Sequence, residues 1–347
     1  MRLGADLHEK IAGMLDAPTR VQYAGAHPAL GRALRHAMLT DEFVRHAPHV
    51  QSLDQMNQLL AAILSQSSLP QRPAALAALV ASIDALPRAD RADAFRTLHQ
   101  AIGTLDARSQ GQPLVDLARR VGLLPDSERP DAIAQMLNAQ GDLPELHRAA
   151  ILVVVGHEVR WLPENHSEPT ANAVLDAAAD LPPQQFSAVV ASLAISVRAN
   201  TPAAHRVYQR LLAVTEQMEP SHRRPALVAL GENPEWLPEA DRARAFAHLL
   251  EMTFDMPVPT RRDPVAALAS QVDSVPQPQR TALFRQLREA IAQLPVAHRT
   301  EPAMRLTHRI ASLDIEERYV EFHRLSQLVR QSDSFSDRGN YDFAPAA

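Results

Sequence analysis

The chain of 347 residues contains no cysteine, which excludes disulfides, thiolate metal sites and cysteine nucleophiles. Lys10 is its only lysine, although lysine and arginine together number 35. Glycine is scarce at 11 residues, and no glycine-rich phosphate loop or Gly-x-Ser-x-Gly elbow occurs. No apolar run approaches the ~20 residues that span a bilayer, and the start MRLGADLHEKIAGML lacks the apolar core of a secretory signal. The net charge is −5 and the arginines are scattered, so nucleic acid is not the expected partner. A 46% hydrophobic content with 22% charged residues belongs to a folded chain.

What the chain does have is a period. LPEADRARAFAHLLEMTFDMP, from Leu237 to Pro257, returns to an apolar-Pro dipeptide after 19 residues. Units in this register begin at Leu86, Leu105, Leu124, Leu143, Leu162 and Leu181, then at Thr201, Met218, Leu237, Met256, Val275, Leu294 and Leu313. A weaker unit fits at Ser67. The consensus is L-P-x-x-x-R-x-x-A-F-x-x-L-x-x-x-I. Its sixth position is arginine in eleven of fourteen units: Arg72, Arg91, Arg129, Arg148, Arg206, Arg223, Arg242, Arg261, Arg280, Arg299 and Arg318. The exceptions are Gln110, Ser167 and Phe186.

Each unit reads as one helix. In the Leu86 unit, Ala94, Phe95, Leu98, Ile102 and Leu105 recur at three- and four-residue spacings, one face of a 3.6-residue period. Proline suits the first helical turn, where its missing N–H costs nothing, and Ser68, Asp106, Glu219 and Asp314 also suit helix starts. A helix of about 13 residues is not stable alone, so neighbours must stack on it. Units with R-x-x-A-F or R-x-x-x-F, at Leu86, Leu237, Val275 and Leu313, alternate with units carrying a second early proline, such as Pro113, Pro225, Pro264 and Pro302. The module is therefore a two-helix hairpin of about 38 residues.

That layout resembles the HEAT and armadillo-like α-solenoids over residues 67–331. The resemblance implies an all-α, right-handed solenoid of about seven hairpins, with residues 1–66 as an N-terminal helical cap or leader and 332–347 as a flexible tail. The cysteine-free, lysine-poor, Arg/Ala/Pro-rich composition is similar in style to helical-repeat type III secreted effectors of proteobacteria. That similarity implies a non-catalytic scaffold that binds a eukaryotic host protein in the host cytosol. Lysine is the ubiquitin acceptor, and its depletion fits such a setting, as does codon bias. The alternatives are a scaffold of the bacterial cytoplasm and a nucleic-acid-binding helical repeat with an outward arginine stripe.

A residue fixed in every unit serves the repeat first. The arginine column, Arg91, Arg129, Arg148, Arg206, Arg223, Arg242, Arg261, Arg280, Arg299 and Arg318, is expected to form a ladder onto carbonyls or carboxylates of adjoining units. Asp90, Glu128, Asp241 and Glu317 stand near the same turns as candidate counter-charges. His147, His166, His205, His222 and His298 recur once per unit, too far apart for one metal ion, and no zinc-protease helix is present. No metal, cofactor or catalytic residue is therefore expected. Trp161 and Trp236 each precede a Leu-Pro turn four units apart, and this pair is the candidate partner-binding site. The units from Leu143 to Asn200 depart most from the register, a second place to look for binding.

Overall fold

The computed structural model describes residues 39–66, 71–196 and 201–339, with side chains as far as residue 330. Residues 1–38 of the expected cap or leader, the start of the weak Ser67 unit and the last residues of the tail lie outside the described residues. Among the described residues the chain is all-helical, with sixteen α-helices and no strand. The first, α1, covers residues 39–46. It is followed by α2 (Leu53–Ser65), α3 (Arg72–Ala81), α4 (Arg91–Ile102), α5 (Ala107–Ala118), α6 (Arg129–Ala139) and α7 (Glu145–Glu158). The remainder are α8 (Glu164–Ala178), α9 (Pro183–Ser196), α10 (Pro202–Gln217), α11 (Arg224–Glu232), α12 (Glu239–Asp255), α13 (Arg262–Gln271), α14 (Gln277–Gln293), α15 (Thr300–His308) and α16 (Ile315–Gly339).

The 19-residue unit is visible at each joint. A helix ends, often in a short 3₁₀ turn such as Ser82–Ala85, Val121–Leu123 or Val272–Ser274. The first residue of the motif then adopts an extended backbone, with ψ of 149° at Leu86, 157° at Leu124 and 142° at Val275. That residue plugs the core: Leu86, Leu124, Leu237, Met256, Val275 and Leu294 are all buried. Proline follows with φ near −54° and ψ near 142°, as at Pro276, which stops the previous helix and opens the next. Where proline is missing, a side chain does the capping. Asp106 accepts from the Ser109 amide. Thr201 makes the same bond, from the Ala204 amide, in addition to the proline that follows it.

The chain forms two compact units, residues 1–155 and 156–347, divided within α7 between Val155 and Gly156. Packing in both is mainly between helices that are near neighbours in sequence. In the first unit α3 lies against α5 and α2 against α4. In the second, α9, α11, α13 and α15 pack side by side as one layer. The longer helices form the other layer, with α8 against α10, α12 against α14, and α14 against α16.

The two layers differ because their sequences differ. The helices α11, α13 and α15 have 9, 10 and 9 residues, against 17 in α12 and α14. Each short helix carries its proline early and buries small side chains: Ala226, Ala229 and Gly231 in α11, then Ala266, Ala267 and Ala269 in α13. Small side chains let the axes approach closely, whereas Phe246 and Phe284 fill the space beneath the long helices. A Cβ added to Gly156 would lie 2.2 Å from Ser192 Oγ, so α7 and α9 approach closely only because that position is glycine. The end of the array departs from expectation: α16 runs past residue 331 to Gly339, so the boundary of the expected tail lies inside a helix.

Candidate functional site

The arginine column serves the joints. The extended residue at the start of each unit leaves carbonyls without helical amides to bond. Arginine at position six reaches back to them. Its Nε donates to the carbonyl five residues earlier: Arg91 to Leu86 at 3.0 Å, Arg129 to Leu124 at 3.1 Å, Arg223 to Met218 at 2.9 Å and Arg242 to Leu237 at 3.0 Å. The same bond recurs from Arg261 to Met256 at 2.7 Å, Arg280 to Val275 at 3.0 Å, Arg299 to Leu294 at 2.8 Å and Arg318 to Leu313 at 2.8 Å. An Nη takes the carbonyl seven residues earlier in Arg91, Arg129, Arg223 and Arg280.

The remaining Nη crosses the stack. Arg91 donates to the Leu123 carbonyl at 3.3 Å, Arg242 to Ser274 at 3.3 Å and Arg280 to Ser312 at 3.0 Å, each 32 residues ahead. Those acceptors immediately precede the first residue of the unit two steps on, so each bond joins consecutive modules of 38 residues. Lysine has no fork and cannot serve these carbonyls together. Gln110, where arginine is missing, donates to the Leu105 carbonyl at 2.6 Å and the Gly103 carbonyl at 3.4 Å, the same offsets of five and seven.

Three arginines behave differently. Arg206 is exposed and grips the Glu168 carboxylate with Nε and Nη2, at 2.6–3.0 Å, across 38 residues from α10 to α8. The pair holds the Glu168 carboxyl below the usual range. Arg148 is half-buried, and its Nε lacks an acceptor. Arg72 donates to the Gln66 carbonyl at 2.9 Å. Two of the nearby acids pair with other arginines: Asp241 with Arg244 at 2.6 Å, and Glu317 with Arg285 at 2.6 Å. Besides Glu168, carboxylates that meet column arginines include Asp126, 3.1 Å from Arg129, and Asp255, 3.5 Å from Arg223.

The tryptophans are not equivalent. Trp161 is 44% exposed, with the Arg160 guanidinium 5.1 Å from its ring centroid. Trp236 is only 4% exposed and meets Tyr208 edge to face, ring centroids 6.1 Å apart. Tyr208 is itself buried, donates its hydroxyl to the Leu230 carbonyl at 2.9 Å, and has its pKa pushed up by that burial. Trp236 is thus core, and the expected pair reduces to Trp161. The repeat places both side chains before a Leu-Pro turn, but only beside Trp236 does a Tyr208 stand to enclose it. Phe186, at a missing-arginine position, lines a cleft with Leu175, Leu181, Val214 and Met218, edged by the Arg210–Asp176 pair at 2.6 Å. Among the described residues no cluster of three or more histidine or acidic side chains could hold a metal ion. His205 faces Asp241 at 3.8 Å and His222 faces Glu219 at 3.7 Å.

A surface that the sequence reading missed lies on the short-helix layer. There α9, α11 and α13 line a cleft of about 490 Å³, with α15 contributing Glu301 and Arg305. Its floor takes one small or apolar residue from each helix: Ala191, Val228 and Ala266. Met304, at the equivalent place on α15, continues this row by register and is half exposed. Ile195, also half exposed, adds to the cleft wall. Ion pairs line its flanks: Arg224 with Asp263 and Arg262 with Glu301 at 2.5 Å bridge neighbouring helices, and Arg305 pairs with Glu301 of its own helix at 2.9 Å and with Glu232 of α11 at 3.9 Å. Three cations and three carboxylates leave the cleft with no net charge. The 38-residue period that aligns these residues was the signal that could have found them.

No protein-family model matches the chain, and no curated protein is similar to it.

Proposed function

We propose that the chain is a non-catalytic protein-binding scaffold, a right-handed HEAT-like solenoid of about seven hairpins, and that its partner lies along the short-helix face of the second unit. The observation that carries this is the cleft itself: an apolar row repeated once per helix, rimmed by hydrogen-bonded ions. An apolar floor supplies affinity and a polar rim supplies register, the division seen in protein–protein contacts. A neutral ion-pair rim favours a mixed polypeptide surface over a polyanion. The nucleic-acid alternative draws on an outward arginine stripe, and most of these guanidinium groups spend their donors on turn carbonyls. Trp161, which is 44% exposed, is the second candidate anchor.

The setting we propose is the cytosol of a eukaryotic host reached by bacterial secretion, with the bacterial cytoplasm as the second reading. Lysine depletion supports it, and the fork geometry demanded at position six accounts for part of that depletion. The test is affinity capture from nuclease-treated host and bacterial lysates in parallel, read by mass spectrometry. A Val228→Glu/Met304→Glu variant runs beside the wild type. The proposal expects a host protein whose recovery falls about tenfold or more in the variant, with an unchanged thermal melt. Undiminished recovery, or retention of bacterial proteins alone, would overturn the cleft or the host setting respectively.

A further inference from the structure

One joint lacks its arginine and keeps the acceptors that an arginine would use. At eight joints the position-six arginine donates Nε to the carbonyl five residues back. Arg91 and Arg280 also take the carbonyl seven back and the one just before the unit two steps on. The Leu181 unit has Phe186 at position six. The corresponding carbonyls are those of Leu181, Ala179 and Gln217. All three residues line the cleft beside Phe186, which has a volume of about 420 Å³. Among the described residues no hydrogen bond reaches any of these three carbonyls. Local amides cannot serve Ala179, because the residues three and four further on are Pro182 and Pro183, which have no N–H.

The other two exceptions differ. Gln110 makes the bonds at offsets of five and seven with its own amide. Ser167 places its hydroxyl on the Pro163 carbonyl at 3.4 Å, and Asn200, at its cross-stack position, lies outside the described residues. The walls of the Phe186 cleft also suit a guanidinium on an alkyl stem. Leu175, Val214 and Met218 supply apolar surface for methylene groups, and an aromatic ring attracts a cation. Asp176 and Glu219 stand against one lining cation, Arg210, which Asp176 holds at 2.6 Å. The lining therefore carries one negative charge in excess.

We infer that this cleft receives an arginine side chain from a partner polypeptide, which restores in trans the bonds that a position-six arginine makes in cis. The occupant follows from the repeat: eight joints of the same chain hold a guanidinium on the equivalent carbonyl. The incoming fork donates to the Leu181 and Ala179 carbonyls, and the excess carboxylate balances its charge. The site lies among α8, α9 and α10 and does not depend on the short-helix cleft, so either can fail alone.

The test is an amide chemical-shift titration of the full chain with N-acetyl-L-arginine methylamide, carried to about 20 mM, against a Kd expected on the order of 1 mM for a ligand of this size. Shifts should centre on residues 175–186 and 210–219. The citrulline analogue, equal in shape but uncharged, should bind about tenfold more weakly. The lysine analogue should bind about threefold more weakly, since one ammonium has no fork for two carbonyls. Phe186→Arg should fill the place in cis and abolish the shifts, with a melt no lower than wild type. Glu219→Gln, on an exposed side chain, should weaken binding by about two- to fivefold and leave the melt unchanged. Absence of saturable shifts at these residues, equal binding of the citrulline analogue, or undiminished binding to a folded Phe186→Arg would overturn the site. Tighter binding of free L-arginine than of the capped form would overturn the polypeptide partner.

Discussion

Phe284→Ala destabilises the second unit by about 3–5 kcal/mol, the cost of emptying a fully enclosed aromatic site, while Phe322→Ala costs under about 1 kcal/mol, as for an exposed position. The two residues occupy the same place in the repeat. Phe284 is 0% exposed between the layers, and Phe322 is half exposed on α16. Nothing in a 19-residue consensus distinguishes them; only their enclosure in the folded chain does. The comparison is made by urea unfolding at low micromolar concentration. Equal losses for the two substitutions would mean that Phe322 is enclosed in the folded protein after all.

Arg280→Ala is the second large effect. Arg280 holds the carbonyls of Val275, Asp273 and Ser312 and the side chain of Gln277. The Ser312 bond fastens one module to the next. Removing the guanidinium leaves several partly buried carbonyls without donors, and the expected loss is about 2–3 kcal/mol. Arg280→Lys should recover less than half of it, because one ammonium cannot serve acceptors on both sides of the joint. Arg206→Ala, by contrast, removes an exposed pair with Glu168 and should cost under about 1 kcal/mol. If Arg280→Lys proved as stable as wild type, the fork would be irrelevant and the column would need a different explanation.

The helix boundaries were legible because the joint has a chemical signature. An apolar plug, a proline and an arginine at fixed offsets mark each turn, and hydrophobic residues at helical spacing fill the interval. The alternation of long and short helices was legible from the phenylalanines and the second prolines. The arginine acceptors were legible only in outline. Backbone carbonyls leave no mark in a sequence, so Asp90, Glu128, Asp241 and Glu317 looked like partners although the column arginines bond mainly to carbonyls. Trp161 and Trp236 looked alike because a register sees position and not enclosure; Tyr208 decides the difference, and it lies 28 positions before Trp236. The cleft escaped notice for a related reason. Ala191, Val228, Ala266 and Met304 follow no single residue type, and the 20- and 17-residue steps around Thr201 blur their alignment. The exposure of Phe322 was hidden by the repeat itself, since it reads as one more core phenylalanine.

All of this rests on a module of 38 residues, two helices joined across the stack by position-six arginines. Deleting Leu237–Ser274, which joins Trp236 to Val275, removes one whole module and keeps long and short helices in alternation. Deleting Leu237–Asp255 removes one helix and sets two short-helix units in succession. Thermal and urea unfolding of the two deletions, followed by far-UV circular dichroism, tests the claim most directly. The 38-residue deletion is expected to fold cooperatively with helical content reduced in proportion, and the 19-residue deletion to lose cooperative unfolding. Cooperative folding of both, or of neither, would contradict a two-helix module.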